Sequence, residues 1–202
     1  MALLQARISV ELREVELKNK PAALLEASPK GTVPVLVLPS GNVIDESLDI
    51  MRWALEQNDP DLWLLGNPDD ARSLITFNDT AFKKALDRYK YPARFDLENG
   101  LEGRRACDAF FRDLDARLQG QRYLSGADIT LVDIALFPFV RQAALVDPAW
   151  FDGLPYARLQ QWLGEHLNSR LFHAVMGKFA PWQPGDPPIM LAAFGAGAKR
   201  AS

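Results

Sequence analysis

KGTVPVLVLPSGNVIDES, residues 30–47, holds two short apolar runs, VPVLVL (33–38) and NVI (42–44), around a Pro-Ser-Gly turn. Runs rich in β-branched residues and bounded by Pro, Gly and Asn read as strands of a hairpin. SLDIMRWALEQ (47–57) follows at once with helical periodicity. Two features of this strand–turn–strand–helix unit stand out. Pro34 sits at the head of a strand, where it cannot donate to a ladder. It is either an ordinary first-residue or edge proline with a trans bond, or a cis proline that turns the N–H and C=O of Val33 outward to a strand-like ligand. Glu46 and Ser47 open the helix. Either Ser47 caps it and Glu46 is solvated, or the helix end and the Ser47 hydroxyl hold a carboxylate while Glu46 takes an ammonium. The second pairing suits an α-amino acid head group.

Outward from this unit, the two halves of the chain differ. VELREVEL (10–17) is strand-like, with an apolar phase that slips between Leu12 and Val15, as at a bulge or a partly covered edge. Pro21 opens a short helix, PAALLEAS, where its missing N–H costs nothing. Residues 59–69 form a linker with Pro60, Gly66 and Pro68. Beyond it every pattern is helical: 70–90, 101–119, 131–146 and about 156–176. The expected organisation is a small sheet domain over 1–58, a linker over 59–69, an all-helical domain over 70–183, and a flexible tail over 184–202 rich in Pro, Gly and Ala.

Composition narrows the class. A chain of 202 residues, 48% hydrophobic and 24% charged, can bury a sizeable core. The net charge of −3, with signs mixed throughout, leaves no footprint for nucleic acid. One cysteine cannot build an intramolecular disulfide and suits a reducing compartment. MALLQARISV is not a secretion leader, and ITLVDIALFPFV is too short to span a bilayer. A soluble cytoplasmic protein is expected, with neither nucleic acid nor membrane as partner.

SGADITLVDIALF (125–137) places Thr130 and Asp133 at capping-box spacing, flanked by Ile129 and Ile134 at staple positions. Its role is structural: it starts a helix, which Pro138 should then kink. Cys107 shares a stripe with Phe110, Phe111 and Leu114, as a core thiol does. His166 and His173 have no third ligand at suitable spacing, so no metal site is expected. Lys83, Lys84, Arg88 and Lys90, interleaved with Tyr89 and Tyr91, read as a solvated helix face.

Taken together, SPKGTVPVL, DES and GADITLVDIALFP resemble the segment before the cis-proline, the γ-glutamyl site and the helical-domain capping box of the glutathione transferase superfamily. The likeness covers roughly residues 1–180, with a bacterial, omega- or beta-like flavour. It implies an α+β chain: a thioredoxin-like domain followed by an all-α domain. It also implies glutathione as ligand, with Val33 and cis Pro34 on its cysteinyl residue, Glu46 and Ser47 on its γ-glutamyl group and Lys30 on its glycyl carboxylate. All of these would line a cleft between the domains.

The family's first strand and half of its first helix have no counterpart ahead of MALLQARI, and with them goes the Tyr, Ser or Cys that activates the sulfur. Ser9 stands at the wrong place, so the catalytic residue is unknown. Conjugation or glutathione-dependent thiol reduction of an electrophilic or disulfide substrate is the implied family activity, impaired here. The alternative is a non-catalytic interaction module resembling stringent starvation protein. A homodimer is implied, its sheet open between VELREVEL and VPVLVL. The expected remedies are a rearranged N-terminus or a strand swapped from the partner, ahead of direct pairing of those two strands.

Overall fold

The computed structural model describes residues 1–191 and divides into two compact units, Met1–Leu62 with the described residues from Arg170 onward, and Trp63–Ser169. Residues 170–183, expected in the helical domain, thus group with the N-terminal unit.

In the first unit, helix α1 (Ala2–Gln5) leads to strand β1 (Val10–Leu12), helix α2 (Ala22–Ala27), the hairpin β2 (Leu36–Val37) and β3 (Val43–Ile44), and helix α3 (Ser47–Gln57). α1 packs on α3 through small side chains: Ala2, Ala6 and Ala54 are buried together, with Leu3, Ile8, Met51 and Trp53 around them. Asn58 Nδ2 donates to the Ala6 carbonyl at 3.1 Å and ties the two helix ends. The strands are shorter than their sequence patterns, and VELREVEL keeps regular pairing only over its first three residues.

The pairing itself is unexpected. β1 does not meet β2. Its partner is β4 (Ile189–Leu191), antiparallel, with Val10 opposite Leu191 and Leu12 opposite Ile189. Residues 189–191 had been assigned to a flexible tail; the rest of that tail, 192–202, lies outside the described residues. Two further contacts hold the returning segment. Trp182 N–H donates to the Glu14 carbonyl at 2.9 Å, and the Arg13 guanidinium lies 4.5 Å from the centre of the Trp182 ring. The sheet is therefore two separate ribbons, β1–β4 and β2–β3. Neither a direct pairing of β1 with β2 nor any other strand joins the two ribbons among the described residues; the chain's own C-terminal segment pairs with β1 instead.

The second unit is helical: α4 (Pro68–Phe77), a π-turn (Asn78–Phe82), α5 (Lys83–Lys90), α6 (Leu101–Leu118), α7 (Leu131–Ala144), α8 (Pro148–Asp152) and α9 (Ala157–Leu167). The predicted helix over 156–176 breaks after α9; α10 (Arg170–Val175) belongs to the first unit. Its core is aromatic, with Phe82, Phe111, Phe137 and Trp162 almost wholly buried. α5 and α6 cross so closely that a Cβ on Gly103 would lie 2.5 Å from the Tyr89 backbone nitrogen and 2.6 Å from the Ala85 carbonyl oxygen.

Two buried carboxylates join its elements. Asp133 accepts from Thr130 N–H at 2.9 Å and from the Thr130 hydroxyl at 3.0 Å, as the capping-box spacing predicts. It also accepts from Leu124 N–H at 2.8 Å and Trp162 Nε1–H at 2.9 Å. Asp115 of α6 accepts the N–H groups of Arg158 and Leu159, both at 2.9 Å, and so caps α9 from another helix. Orphan amides at a helix start need an acceptor, and here a residue more than forty positions away provides it.

Candidate functional site

The candidate site grows from the hairpin. Leu36 pairs with Ile44 and Val37 with Val43. Leu38 N–H donates to the Asn42 carbonyl, and Gly41 N–H to the Leu38 carbonyl, each at 2.8 Å. Gly41 closes the three-residue loop with φ +86°, the left-handed conformation that such a loop requires. Pro34 lies two residues before β2, and Glu46 two residues after β3. The hairpin thus brings the two sequence signals, fourteen positions apart, to one end of the β2–β3 ribbon.

The Val33–Pro34 bond is cis, the second of the two readings of that proline. Val33 stands 46% exposed. At α3 the N-cap is Glu46, in extended conformation, and Ser47 is the first helical residue. Ser47 therefore does not cap the helix, and the Glu46 side chain makes no cap bond to this first turn. A helix end left open in this way presents N–H donors and the positive end of the helix dipole.

Lys30 completes the group. Its Nζ lies 2.9 Å from Asp45 Oδ2 and 3.5 Å from Glu46 Oε1. The hydrogen bond and charge of Asp45, with Glu46 adding to them, hold the Lys30 ammonium above its ordinary value. Lys30 is solvent-exposed, so the pair holds the two loops together only loosely. Asp45 was not singled out in the sequence. The signal was available in the hairpin register, which puts residue 45 on the strand segment facing 35 and within reach of the chain just ahead of it.

Other candidates fall away from this end. Cys107 is completely buried, and burial pushes its thiol up to about 12, so it stays protonated. His166 is caged by Trp162, Phe137 and Tyr123, with ring centres 4.9, 5.1 and 6.0 Å away, and burial lowers its pKa. His173 belongs to the other unit. The basic cluster is only partly a solvated face. Lys84 and Lys90 are exposed, whereas Tyr89 is buried edge-on against Trp150 and Lys83 lies over the Phe139 ring. Among the described residues no helix is long and apolar enough to cross a membrane.

A glutathione S-transferase N-terminal domain matches residues 1–57, and a glutathione S-transferase C-terminal domain matches residues 81–165. The chain is 28% identical to glutathione S-transferase PM239X14 of Arabidopsis thaliana, over 75% of each chain. Among solved structures, the ternary complex of BphK, a bacterial enzyme of this group, superposes with a TM-score of 0.74 at 24% identity. A sphingomonad glutathione S-transferase complexed with glutathione does so at 0.67 and 24%. Both alignments cover 86% of this chain and 88% of the other. The thioredoxin-like and all-helical domains expected from the sequence are those of this fold. With both of its characteristic domains matched in order along the sequence, the chain belongs to the glutathione S-transferase superfamily.

Proposed function

We propose that this protein binds glutathione at the end of the β2–β3 hairpin. The observation that supports the reading is the ion pair from Lys30, four residues ahead of cis Pro34, to Glu46 at 3.5 Å, beside a helix start whose N-cap Glu46 makes no side-chain cap bond. The Val33 main chain pairs with the cysteinyl residue of glutathione. The γ-glutamyl carboxylate sits on the N–H groups and hydroxyl at Ser47, with the helix dipole behind it. Glu46 takes the ammonium, and Lys30 swings from Asp45 to the glycyl carboxylate as a point charge. The sphingomonad relative, solved with glutathione, supports this choice of ligand.

The chain works as a homodimer on an electrophilic or disulfide substrate, by conjugation or thiol reduction, and its turnover is weak. Lowering a thiol pKa needs a nearby donor or positive charge. None of Lys30, Val33, Pro34, Glu46 and Ser47 is assigned that task, and Cys107 is sealed in the core.

Calorimetric titration with glutathione, run beside a chromogenic conjugation assay, separates binding from activation. Measurable affinity with little turnover is expected. Ser47→Ala and Glu46→Gln should each weaken binding about tenfold, the effect of losing one charge-assisted contact. Unchanged affinity in both variants would remove the site from the hairpin end. Vigorous turnover would show that an activating group is present after all.

A further inference from the structure

One stripe of α9, Arg158, Gln161, Trp162 and Glu165 at i, i+3, i+4 and i+7, faces the end of α6 at Leu118 and the turn that carries Arg122. Between them lies a pocket of about 210 Å³. A water takes ~30 Å³ of liquid, so the space equals roughly seven waters, or one small organic ion. The pocket lies wholly within the Trp63–Ser169 unit and shares no residue with the glutathione reading.

Of the ionised side chains that line it, Arg122 and Arg158 are positive and Glu165 is negative. Glu165 is fully engaged. Its Oε2 accepts from Arg122 Nε and Nη2, both at 3.4 Å, and from the Tyr123 hydroxyl at 3.3 Å; its Oε1 accepts from Gln161 Nε2 at 3.1 Å. Arg122 Nη1 is left with no hydrogen bond. Arg158 has no carboxylate partner among the described residues, and its guanidinium bonds only to the neutral Gln161 Oε1, at 3.4 Å. The nearby Asp115 carboxylate serves main-chain N–H groups of Arg158 and Leu159 and the amide of Gln119 instead.

The lining thus carries one surplus positive charge, with free guanidinium donors at two ends. Arg158 stands in the first turn of α9, at the positive end of its dipole. Arg122 is fastened to Glu165, seven residues further along. At ~1.5 Å of rise per residue the two anchor points are about 10 Å apart. A charge-assisted N–H···O bond takes ~2.8 Å at each end, which leaves roughly 4–5 Å between the bound oxygens. That is the span of a short diacid.

We propose that this pocket binds a small aliphatic dicarboxylate with the chain length of succinate. One carboxylate sits on the Arg158 guanidinium and the other on Arg122 Nη1, and Leu118 and Trp162 lie against the methylene groups between them. Both guanidiniums reach solvent, so affinity in the millimolar range is expected.

The test is a nuclear magnetic resonance titration of the ¹⁵N-labelled full chain with succinate at fixed ionic strength. Saturable one-to-one shifts are expected at the Gln161 side-chain amide and the Trp162 indole N–H. Butyrate, which has one carboxylate, and phosphate, a compact dianion, should each bind at least tenfold more weakly. Arg158→Gln should weaken succinate at least tenfold, and Arg122→Gln several-fold. The three anions are compared on the unaltered protein, which keeps the test valid if either variant misfolds. No saturable shift, or equal binding of butyrate or phosphate, overturns the proposal. So do shifts confined to the β2–β3 hairpin end, which would assign the diacid to the glutathione site.

Discussion

The two units differ in how their elements are joined. In the helical unit, Asp133 gathers donors from Leu124, Thr130 and Trp162, and Asp115 closes the start of α9. In the N-terminal unit the strands form two separate two-stranded ribbons, and Glu46 at the start of α3 makes no side-chain cap bond. Two-stranded ribbons alone are marginal in water. The unit is held by the alanine contact of α1 with α3 and by the C-terminal strap. The difference shows where the molecule invests in rigidity. Satisfied buried networks specify one arrangement, whereas short ribbons depend on what packs against them.

The largest effect that should break this contrast is Asp133→Ala. Four donors lose their acceptor at roughly 1–3 kcal/mol each, so a loss of at least about 4 kcal/mol is expected in a denaturant melt. Glutathione affinity in the folded fraction should not change. A neutral result would mean that the Asp133 network is incidental to the helical unit.

Next is Gly103→Ala, which drives a methyl group into the backbone of α5 and should cost about 1–3 kcal/mol, as overpacking does. Thr130→Ala should follow at roughly 0.5–2 kcal/mol, the usual range for losing a helix cap. Both are read from the same denaturation curves. Deleting residues 183–202 should lower stability by only about 1 kcal/mol for each ladder bond lost. Amide exchange should accelerate at Val10–Leu12 and stay unchanged in α6 and α7. Acceleration in the helices instead would show that the strap serves the whole molecule.

The last effect is absent at neutral pH and appears only in alkali. Burial raises the Cys107 thiol from 9.0 to about 12. Above pH 9 the thiol ionises in the unfolded chain while the folded chain keeps its proton. The contribution is therefore complete below pH 9 and is lost as pH rises through 12. Cys107→Ala should flatten the alkaline limb of the stability profile. An unaltered limb would assign it to other groups.

Much of the architecture was legible in local chemistry. Pro39-Ser40-Gly41 permits one hairpin geometry, the Thr130–Asp133 spacing nucleates α7, and the Phe110, Phe111, Leu114 stripe defines the buried face of α6. These are interactions between residues a few positions apart, so spacing alone determines them. The hairpin register of Leu36 with Ile44 and Val37 with Val43 follows from the same local rule. Tertiary structure decided what no local pattern encodes. It chose Asp115 to cap α9, because a buried carboxylate can serve any helix end brought to it. It turned Ile189–Leu191 from apparent tail into the partner of β1. Three residues hold too little information to name a partner, and an open strand edge accepts any extended segment that reaches it. It also decided that β1 and β2 do not pair with each other, because short strands set their pairing through long-range contacts rather than through their own sequence.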